Sequence, residues 1–163
     1  MKLLVALLSF TFVFTWWPGK EAAPPSSKDA LEARAVLDEV NALRASGCKC
    51  PDGKRFRPAP ALIWDTRLEK AAQEHAADMS RERYFSHTSL DGSSFSERIS
   101  RTGYPWQFVG ENIAKGYPSA KAVVDAWRTS KDHCPNLMNP YFRDMGIGKA
   151  GAYWVQDLGT QPE

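Results

Sequence analysis

The chain lacks a strong charge excess, internal repeats and a glycine-rich nucleotide-binding motif. Among its 163 residues, 21 basic and 19 acidic side chains give a formal net charge of +2, and the two signs are interspersed. This balance gives no electrostatic reason to expect nucleic acid or an anionic surface as a partner. The hydrophobic content of 43% and the charged content of 25% are ordinary, and the length suits one domain with its own core.

The N-terminal apolar run is too short for a typical transmembrane helix. Lys2 precedes a nearly continuous apolar segment over residues 3–15, which has the length of a signal-peptide core, whereas a membrane-spanning helix needs about 18 apolar residues or more. The sequence therefore predicts a secreted, periplasmic or extracellular protein with a signal peptide over 1–23, a linker over 24–30 and a domain over 31–163. An uncleaved membrane anchor is the alternative interpretation.

Cysteine is scarce, with Cys48, Cys50 and Cys134 as the three cysteines of the chain. In an exported protein this number predicts one disulfide and one leftover thiol. A bridge from either of the first two cysteines to Cys134 would close a loop of about 85 residues, which the chain-entropy model values at about 4 kcal/mol. The spacing alone leaves open whether Cys48 or Cys50 takes part.

Two N-terminal segments carry apolar residues at helical spacing. Ser26 or Ser27 can cap a helix that ends at Gly47, and Asp65 can cap a second helix. His75 lies on the apolar face of this second helix, without a partner ligand in its sequence neighbourhood. We interpret it as a hydrogen-bonded core histidine.

The C-terminal half mixes helix and strand patterns. Ser94 and Glu97 form a capping box before a short helix. Residues 104–108 alternate like a strand or a packed aromatic connection, and two strands are predicted over 145–149 and 152–158. Without regular βαβ alternation, this mixture predicts an α+β sandwich in which helices pack on an antiparallel sheet. The larger aromatic residues are interpreted as packing residues: Trp64, Tyr84, Phe85, Trp106, Trp127, Tyr141 and Trp154.

Two of the three histidines lie in segments rich in Gly, Asn, Pro and Ser. Glu111 follows His87 by 24 residues and precedes His133 by 22. Two imidazoles and one carboxylate, with a water in the fourth position, are a usable ligand set for a divalent cation, zinc above all. We therefore predict that these three side chains meet at one cleft, which Asn112 and Ser130 help to line.

The same residues admit other chemistry. Glu111 could act as the general base of a hydrolase whose metal, held by the histidines, activates water. Ser130 lies three residues before His133, but the chain has no G-x-S-x-G nucleophile elbow. In a third interpretation the chain is a structural or interaction module, and the three polar residues only tie loops together by hydrogen bonds.

Six segments in a fixed order carry a family resemblance between about Val36 and Gly159. They are NALRASG (41–47), LEKAAQEHAADM (68–79), YFSHTSLDG (84–92), GENIAKG (110–116), AVVDAWRTSKDHCPNLMNP (122–140) and YWVQDLG (153–159). Together they resemble the bacterial branch of the CAP superfamily, which comprises cysteine-rich secretory proteins, antigen 5 and pathogenesis-related class 1 proteins and is defined by the SCP domain.

The resemblance implies a three-layer α-β-α sandwich with a central antiparallel sheet. It also implies a central cavity lined by two histidines and two acidic residues, which binds zinc or another divalent cation in several members. His87, Glu111 and His133 correspond to three of these four residues. The second acidic residue falls on Ser130, so the resemblance implies a site with one carboxylate fewer.

The resemblance further implies a disulfide between Cys50 and Cys134, with Cys48 left over. Members of the family have been proposed as proteases, sterol or lipid binders, toxins and signalling proteins, without a common reaction. We therefore expect an exported monomer that binds a divalent cation together with a small-molecule or lipid ligand or a component of the cell envelope. Nucleic acid is not expected as a partner, and enzymatic activity is left open.

Overall fold

The computed structural model describes residues 25–162. The predicted signal peptide over 1–23 lies outside these residues. The first helix begins at Ser27, inside the segment 24–30 predicted as a linker, and Ser26 is its N-cap. None of the helices in the described part of the chain has the length and hydrophobicity that a membrane crossing requires.

Helices and strands alternate irregularly along the described residues. The helices are α1 (Ser27–Ser46), α2 (Thr66–Glu82), α3 (Phe95–Arg101), α4 (Ala120–Arg128) and α5 (Cys134–Met138). The strands are β1 (Cys48–Lys49), β2 (Arg55–Phe56), β3 (Ile63–Trp64), β4 (Phe108–Lys115), β5 (Asp144–Ala150) and β6 (Tyr153–Thr160).

A four-stranded sheet in the order β3-β5-β6-β4 forms the middle layer. The pairs β5–β6 and β6–β4 are antiparallel, whereas the two-residue strand β3 runs parallel to β5. Helices α1, α4 and α5 cover one face of the sheet, and α2 and α3 cover the other. The predicted three-layer α-β-α sandwich is thus confirmed, with a parallel edge pair as a refinement.

Helix α2 packs unusually close to the sheet because both surfaces are small. Asp65 caps the helix as predicted, and alanines dominate its buried face. On the sheet side, β5 presents Gly146 and Gly148, where an added Cβ would overlap the backbone of Glu69 and Ala72. Any side chain at these two glycines would therefore push α2 away from the sheet.

The opposite face contains a large apolar core and the buried guanidinium of Arg44. Trp127, Trp154 and Leu158 are almost completely buried there. Burial, together with the smaller effect of the Arg143 charge, lowers the pKa of Arg44 to about 10, so Arg44 remains cationic at neutral pH. The Arg44 guanidinium donates hydrogen bonds to four backbone carbonyls, those of Pro60, Leu137, Asn139 and Phe142. It thereby fixes the end of α5 to the core.

The C-terminal strand predictions are confirmed as β5 and β6, but the alternating segment 104–108 is mostly not a strand. Gly103 has a positive φ of 79° that turns the chain, and the Tyr104 hydroxyl donates to Asp144 over 2.7 Å. The strand begins only at Phe108 and continues through Glu111. Helix α5 was not predicted, since its five residues are too few for a periodic pattern.

The aromatic packing prediction is correct for the buried tryptophans and wrong for three surface residues. Phe85, Trp106 and Tyr141 are 49%, 40% and 69% exposed. The Trp106 ring nitrogen donates to Ser100 at the surface, and Tyr141 contacts Phe108 outside the core. These side chains lie on loops between elements, where a composition argument cannot distinguish core from surface.

Candidate functional site

Two of the predicted site residues, Glu111 and Asn112, lie on β4, which forms one edge of the sheet. Alternate residues of a strand face opposite layers. Ile113 packs with the α2 layer and Ala114 with the α1 layer. Glu111 therefore faces the α2 layer, and Asn112 faces the α1 layer. Across the sheet, Glu111 pairs in register with Asp157 of β6.

Glu111 connects a histidine and an arginine inside the protein. Its Oε1 lies 2.7 Å from His87 Nδ1, and its Oε2 accepts a hydrogen bond from Arg98 Nη2 over 2.6 Å. The Glu111 side chain is fully buried and that of Arg98 is 8% exposed, whereas the His87 ring is half exposed. Arg98 Nη1 also donates to the backbone oxygen of His87. The loop that carries His87 is thus fixed by a buried ion pair.

This contact determines which nitrogen of His87 is available. An ionised carboxylate can only accept hydrogen bonds, so His87 Nδ1 carries the proton that it donates to Glu111. The neutral ring then keeps its lone pair on Nε2. A histidine whose Nδ1–H is held by a carboxylate is the usual arrangement of a metal ligand.

His133 has a neutral partner instead. It is the N-cap residue of α5, and its Nδ1 lies 2.8 Å from Ser130 Oγ. Burial lowers the pKa of His133, and the nearby charge of His87 lowers it further. His133 is therefore a neutral imidazole at pH 7, and the two histidines share one electrostatic environment.

A pocket of about 360 Å³ opens between β4 and α4 beside His133. Its polar lining residues are Ser130, His133 and Lys115. The rest of the wall is largely apolar and consists of Phe85, Ile113, Ala114, Tyr117, Ala126 and Trp127. The pocket is within the range of small-ligand sites, although at the low end.

The three predicted metal ligands do not form one compact set in the described residues. A grouping of three His, Cys, Asp or Glu side chains with ligand atoms within 4.8 Å of one another occurs in residues 25–162 only at the three cysteines. Both Glu111 oxygens are already bonded to His87 and Arg98. Glu111 is therefore placed to hold the His87 ring through Nδ1.

The predicted disulfide between Cys50 and Cys134 is present, with Cα atoms 5.8 Å apart. It joins the segment after α1 to the residue next to His133. Asn112, predicted as a cleft residue, is fully buried on the α1 side of the sheet. Its amide group donates to Gln156 and accepts from Asn136, so it braces β4 behind Glu111.

Two ionisable residues beside Glu111, Arg98 and Asp157, were not predicted from the sequence. Arg98 neutralises Glu111, and Asp157 is 1% exposed, with neither carboxylate oxygen hydrogen-bonded to the described residues. Burial raises the pKa of Asp157 well above that of an ordinary carboxyl group, and the Glu111 charge raises it further, against the effect of Arg98. Asp157 thus favours its neutral form. The signal in the sequence was an acidic residue inside the largely apolar strand segment YWVQDLG.

His75 is a buried core residue, as predicted. It is 1% exposed, and its Nε2 lies 2.8 Å from the backbone oxygen of Ser86. Burial lowers the pKa of His75, and the Arg98 charge lowers it further. The neutral ring holds the start of the loop that carries His87.

Residues 37–158 match the family model described as "CAP: Cysteine-rich secretory protein family". The chain is 36% identical over 136 residues to the uncharacterized Bacillus subtilis protein YkwD, a match that covers 82% of this chain and 49% of the relative. It is 33% identical over 97 residues to the Bacillus subtilis membrane protein YlbC, which covers 60% of this chain and 28% of that protein. The chain therefore spans about half or less of these relatives.

Two solved structures share the fold. An extracellular protein containing a SCP domain from Bacillus anthracis superposes with a TM-score of 0.73 at 25% identity, covering 85% of this chain and 45% of that one. An outer surface protein from Borrelia burgdorferi gives a TM-score of 0.68 at 23% identity, covering 83% of this chain and 95% of that one.

Proposed function

Since this chain belongs to the cysteine-rich secretory protein (CAP) family, we propose that it is an exported binding protein, which holds a divalent cation beside a pocket for a small amphiphilic ligand. The observation that carries the proposal is the pocket of about 360 Å³ with an apolar wall and a polar end at His133. A ligand with an apolar body and an anionic head group matches this division.

The apolar part of the pocket is suited to bind a ligand with a hydrocarbon or ring-shaped body. Trp127 is 1% exposed and forms a rigid floor, and Phe85 is a half-exposed aromatic side chain at the wall. Burial of apolar ligand surface against such side chains contributes about 25 cal/mol per Å². Lys115 adds a positive charge to the pocket lining, which favours a ligand with an anionic head group.

The proposal of a bound cation rests on two available imidazole nitrogens. His87 and His133 each have Nδ1 engaged, by Glu111 and Ser130 respectively, so each presents Nε2 as the remaining ligand atom. Neutral imidazole is a preferred ligand of zinc, and His133 is neutral because its pKa is lowered. A bound cation would add positive charge at the end of the pocket where the head group is expected.

The environment of Glu111 favours a role in orienting His87 over the alternative role of general base. A general base must reach the proton that it removes. The Glu111 side chain is completely buried, and both oxygens accept from other side chains. The binding-protein proposal therefore assigns to Glu111 the orientation of His87.

An extracellular or periplasmic location is part of the proposal. The Cys50–Cys134 disulfide is typical of oxidising compartments. The similar protein from Bacillus anthracis is described as extracellular. Both observations agree with the signal peptide predicted over residues 1–23.

Calorimetric titration with dodecanoate and with its neutral counterpart dodecanol tests the pocket. We expect dodecanoate to bind to the wild type and zinc to strengthen its binding more than that of dodecanol. Ala126→Trp fills the pocket wall and should weaken dodecanoate binding by about tenfold or more, which is a loss of about 1.4 kcal/mol.

Ala122→Trp is the matched control, because Ala122 lies on the same helix and outside the pocket lining. Equal dodecanoate affinity in the wild type and Ala126→Trp would contradict the assignment of the pocket. Equal zinc enhancement for dodecanoate and dodecanol would contradict the head-group assignment.

A further inference from the structure

Three sulfur atoms lie together at the junction of the β1–β2 hairpin and α5. Cys48 is a free, partly buried thiol. Its Sγ is 3.7 Å from Sγ of Cys134, which is oxidised with Cys50. The three sulfur atoms are all within 4.8 Å of one another. A nucleophile thus sits in van der Waals contact with the electrophile that it can attack.

We propose that these cysteines form a thiol–disulfide exchange site, in which Cys48 exchanges with the buried Cys50–Cys134 disulfide. The Cys48 thiolate attacks Cys134 Sγ, the Cys48–Cys134 bond forms, the Cys50–Cys134 bond breaks, and Cys50 leaves as a thiolate. One proton is lost from Cys48 and one is gained by Cys50, so the reaction requires no external oxidant or reductant.

Burial makes Cys48 the entry point of this site. Cys50 is 2% exposed and Cys134 is completely buried, so a dissolved thiol cannot approach the disulfide directly. After exchange, the partly exposed Cys48 sulfur belongs to the disulfide. A low-molecular-mass thiol such as glutathione can then attack Cys48, form a mixed disulfide with it and release the Cys134 thiolate.

The β1–β2 hairpin brings the two alternative partners of Cys134 to the same place. Cys48 pairs with Phe56 in the hairpin, and the Cys50 amide donates to the Lys54 carbonyl at its turn. With a single residue between them, both sulfurs reach Cys134. The sequence did not decide whether Cys48 or Cys50 pairs with Cys134, and in the proposed site both can do so in turn. Burial raises the pKa of the Cys48 thiol, so the exchange is slow at neutral pH because little thiolate is present.

Tryptic mapping without reduction distinguishes the two disulfide isomers. Cleavage after Arg44, Lys49 and Lys54 separates Cys48, in residues 45–49, from Cys50, in residues 50–54. Free thiols are first blocked with a maleimide at acidic pH to stop exchange. We expect Cys50→Ser to form a Cys48–Cys134 disulfide on folding in air. A free Cys134 in folded Cys50→Ser, with wild-type circular dichroism, would overturn the proposal.

The rate of native-state reduction provides the second test. Full-length wild type and Cys48→Ser are incubated with excess glutathione without denaturant, and release of Cys134 is followed by mass tagging. We expect the wild type to release Cys134 about tenfold faster or more. Ser46→Ala, at an exposed neighbouring position, should retain the wild-type rate. Equal rates for wild type and Cys48→Ser would overturn the role of Cys48 even if every variant folds.

Discussion

The two histidines of the candidate site are held in opposite ways. His87 donates to a carboxylate that is itself neutralised by buried Arg98. Among residues 25–162, the side-chain hydrogen bond of the His133 ring is to the Ser130 hydroxyl, and its backbone is held by the neighbouring disulfide at Cys134. The site therefore has two halves. The charged half consists of His87, Glu111 and Arg98 and is fixed by a buried ion pair, whereas the other half consists of His133 and Ser130 and is fixed by the adjacent disulfide.

The difference matters for ligand chemistry because a carboxylate and a hydroxyl direct an imidazole differently. Glu111 can only accept, so it fixes the proton of His87 on Nδ1 and leaves Nε2 free. The Ser130 hydroxyl can donate or accept, so it is compatible with either tautomer of His133. In the proposed cation site, the His87 ring would thus be preorganised as a ligand, whereas the His133 ring would have to select its tautomer on binding.

The largest expected effect comes from the charged half. Glu111→Gln leaves Arg98 buried without its anionic partner, which typically costs about 3–5 kcal/mol. We expect a loss of this size in the free energy of unfolding, measured by urea denaturation at neutral pH. Glu74→Gln removes a half-exposed carboxylate that pairs with Lys70 over 3.9 Å, and should cost less than about 1 kcal/mol. A similarly small loss for Glu111→Gln would remove the distinction between the two halves.

A second substitution gives both histidines a carboxylate partner. Ser130→Glu gives His133 an acceptor-only partner, which should fix its proton on Nδ1. Because such outer partners typically change metal affinity by about 10–100-fold, we expect zinc to bind about tenfold more tightly. Ser130→Gln controls for side-chain size without adding charge. Equal zinc affinities for Ser130→Glu and Ser130→Gln would show that the charge of the partner is irrelevant.

The smallest expected effect is the electrostatic link between the halves. His87→Ala removes the positive charge that His87 carries when protonated and that lowers the pKa of His133, so this pKa should rise, while burial, the larger cause, keeps it below the ordinary value. Titration of the His133 ring protons by NMR measures the change. Thr88→Ala, at an exposed neighbouring position, should leave the pKa of His133 unchanged. An unchanged pKa in His87→Ala would mean that the two rings are electrostatically independent.

The sequence predicted those parts of the fold that rest on local patterns. The N-caps at Ser26 and Asp65, the capping box at Ser94 and the last two strands are all recovered. Strand β4 was missed because its buried residues include Glu111 and Asn112, which obscure an apolar pattern. Their polar groups are satisfied by side chains from distant segments that no local window contains.

For the candidate site, the sequence predicted which residues take part better than it predicted their contacts with one another. His87 and Glu111 do meet, and His133 contacts Ser130. The roles of Arg98 and Asp157 could not be predicted, because their proximity to Glu111 depends on how α3 packs and on the β4–β6 register. Glu111 as a metal ligand stays a prediction, and its contacts with His87 and Arg98 are the basis for the proposed role in orienting His87.

Zinc titration by calorimetry tests the central claim that two imidazoles from opposite halves hold one cation. We predict that the wild type binds one zinc ion per chain and that His87→Ala and His133→Ala both lose this binding, while circular dichroism shows each variant folded. Glu111→Gln should still bind one ion, but more weakly, since Glu111 orients a ligand without being one. Full zinc binding by either histidine variant would contradict the two-histidine site.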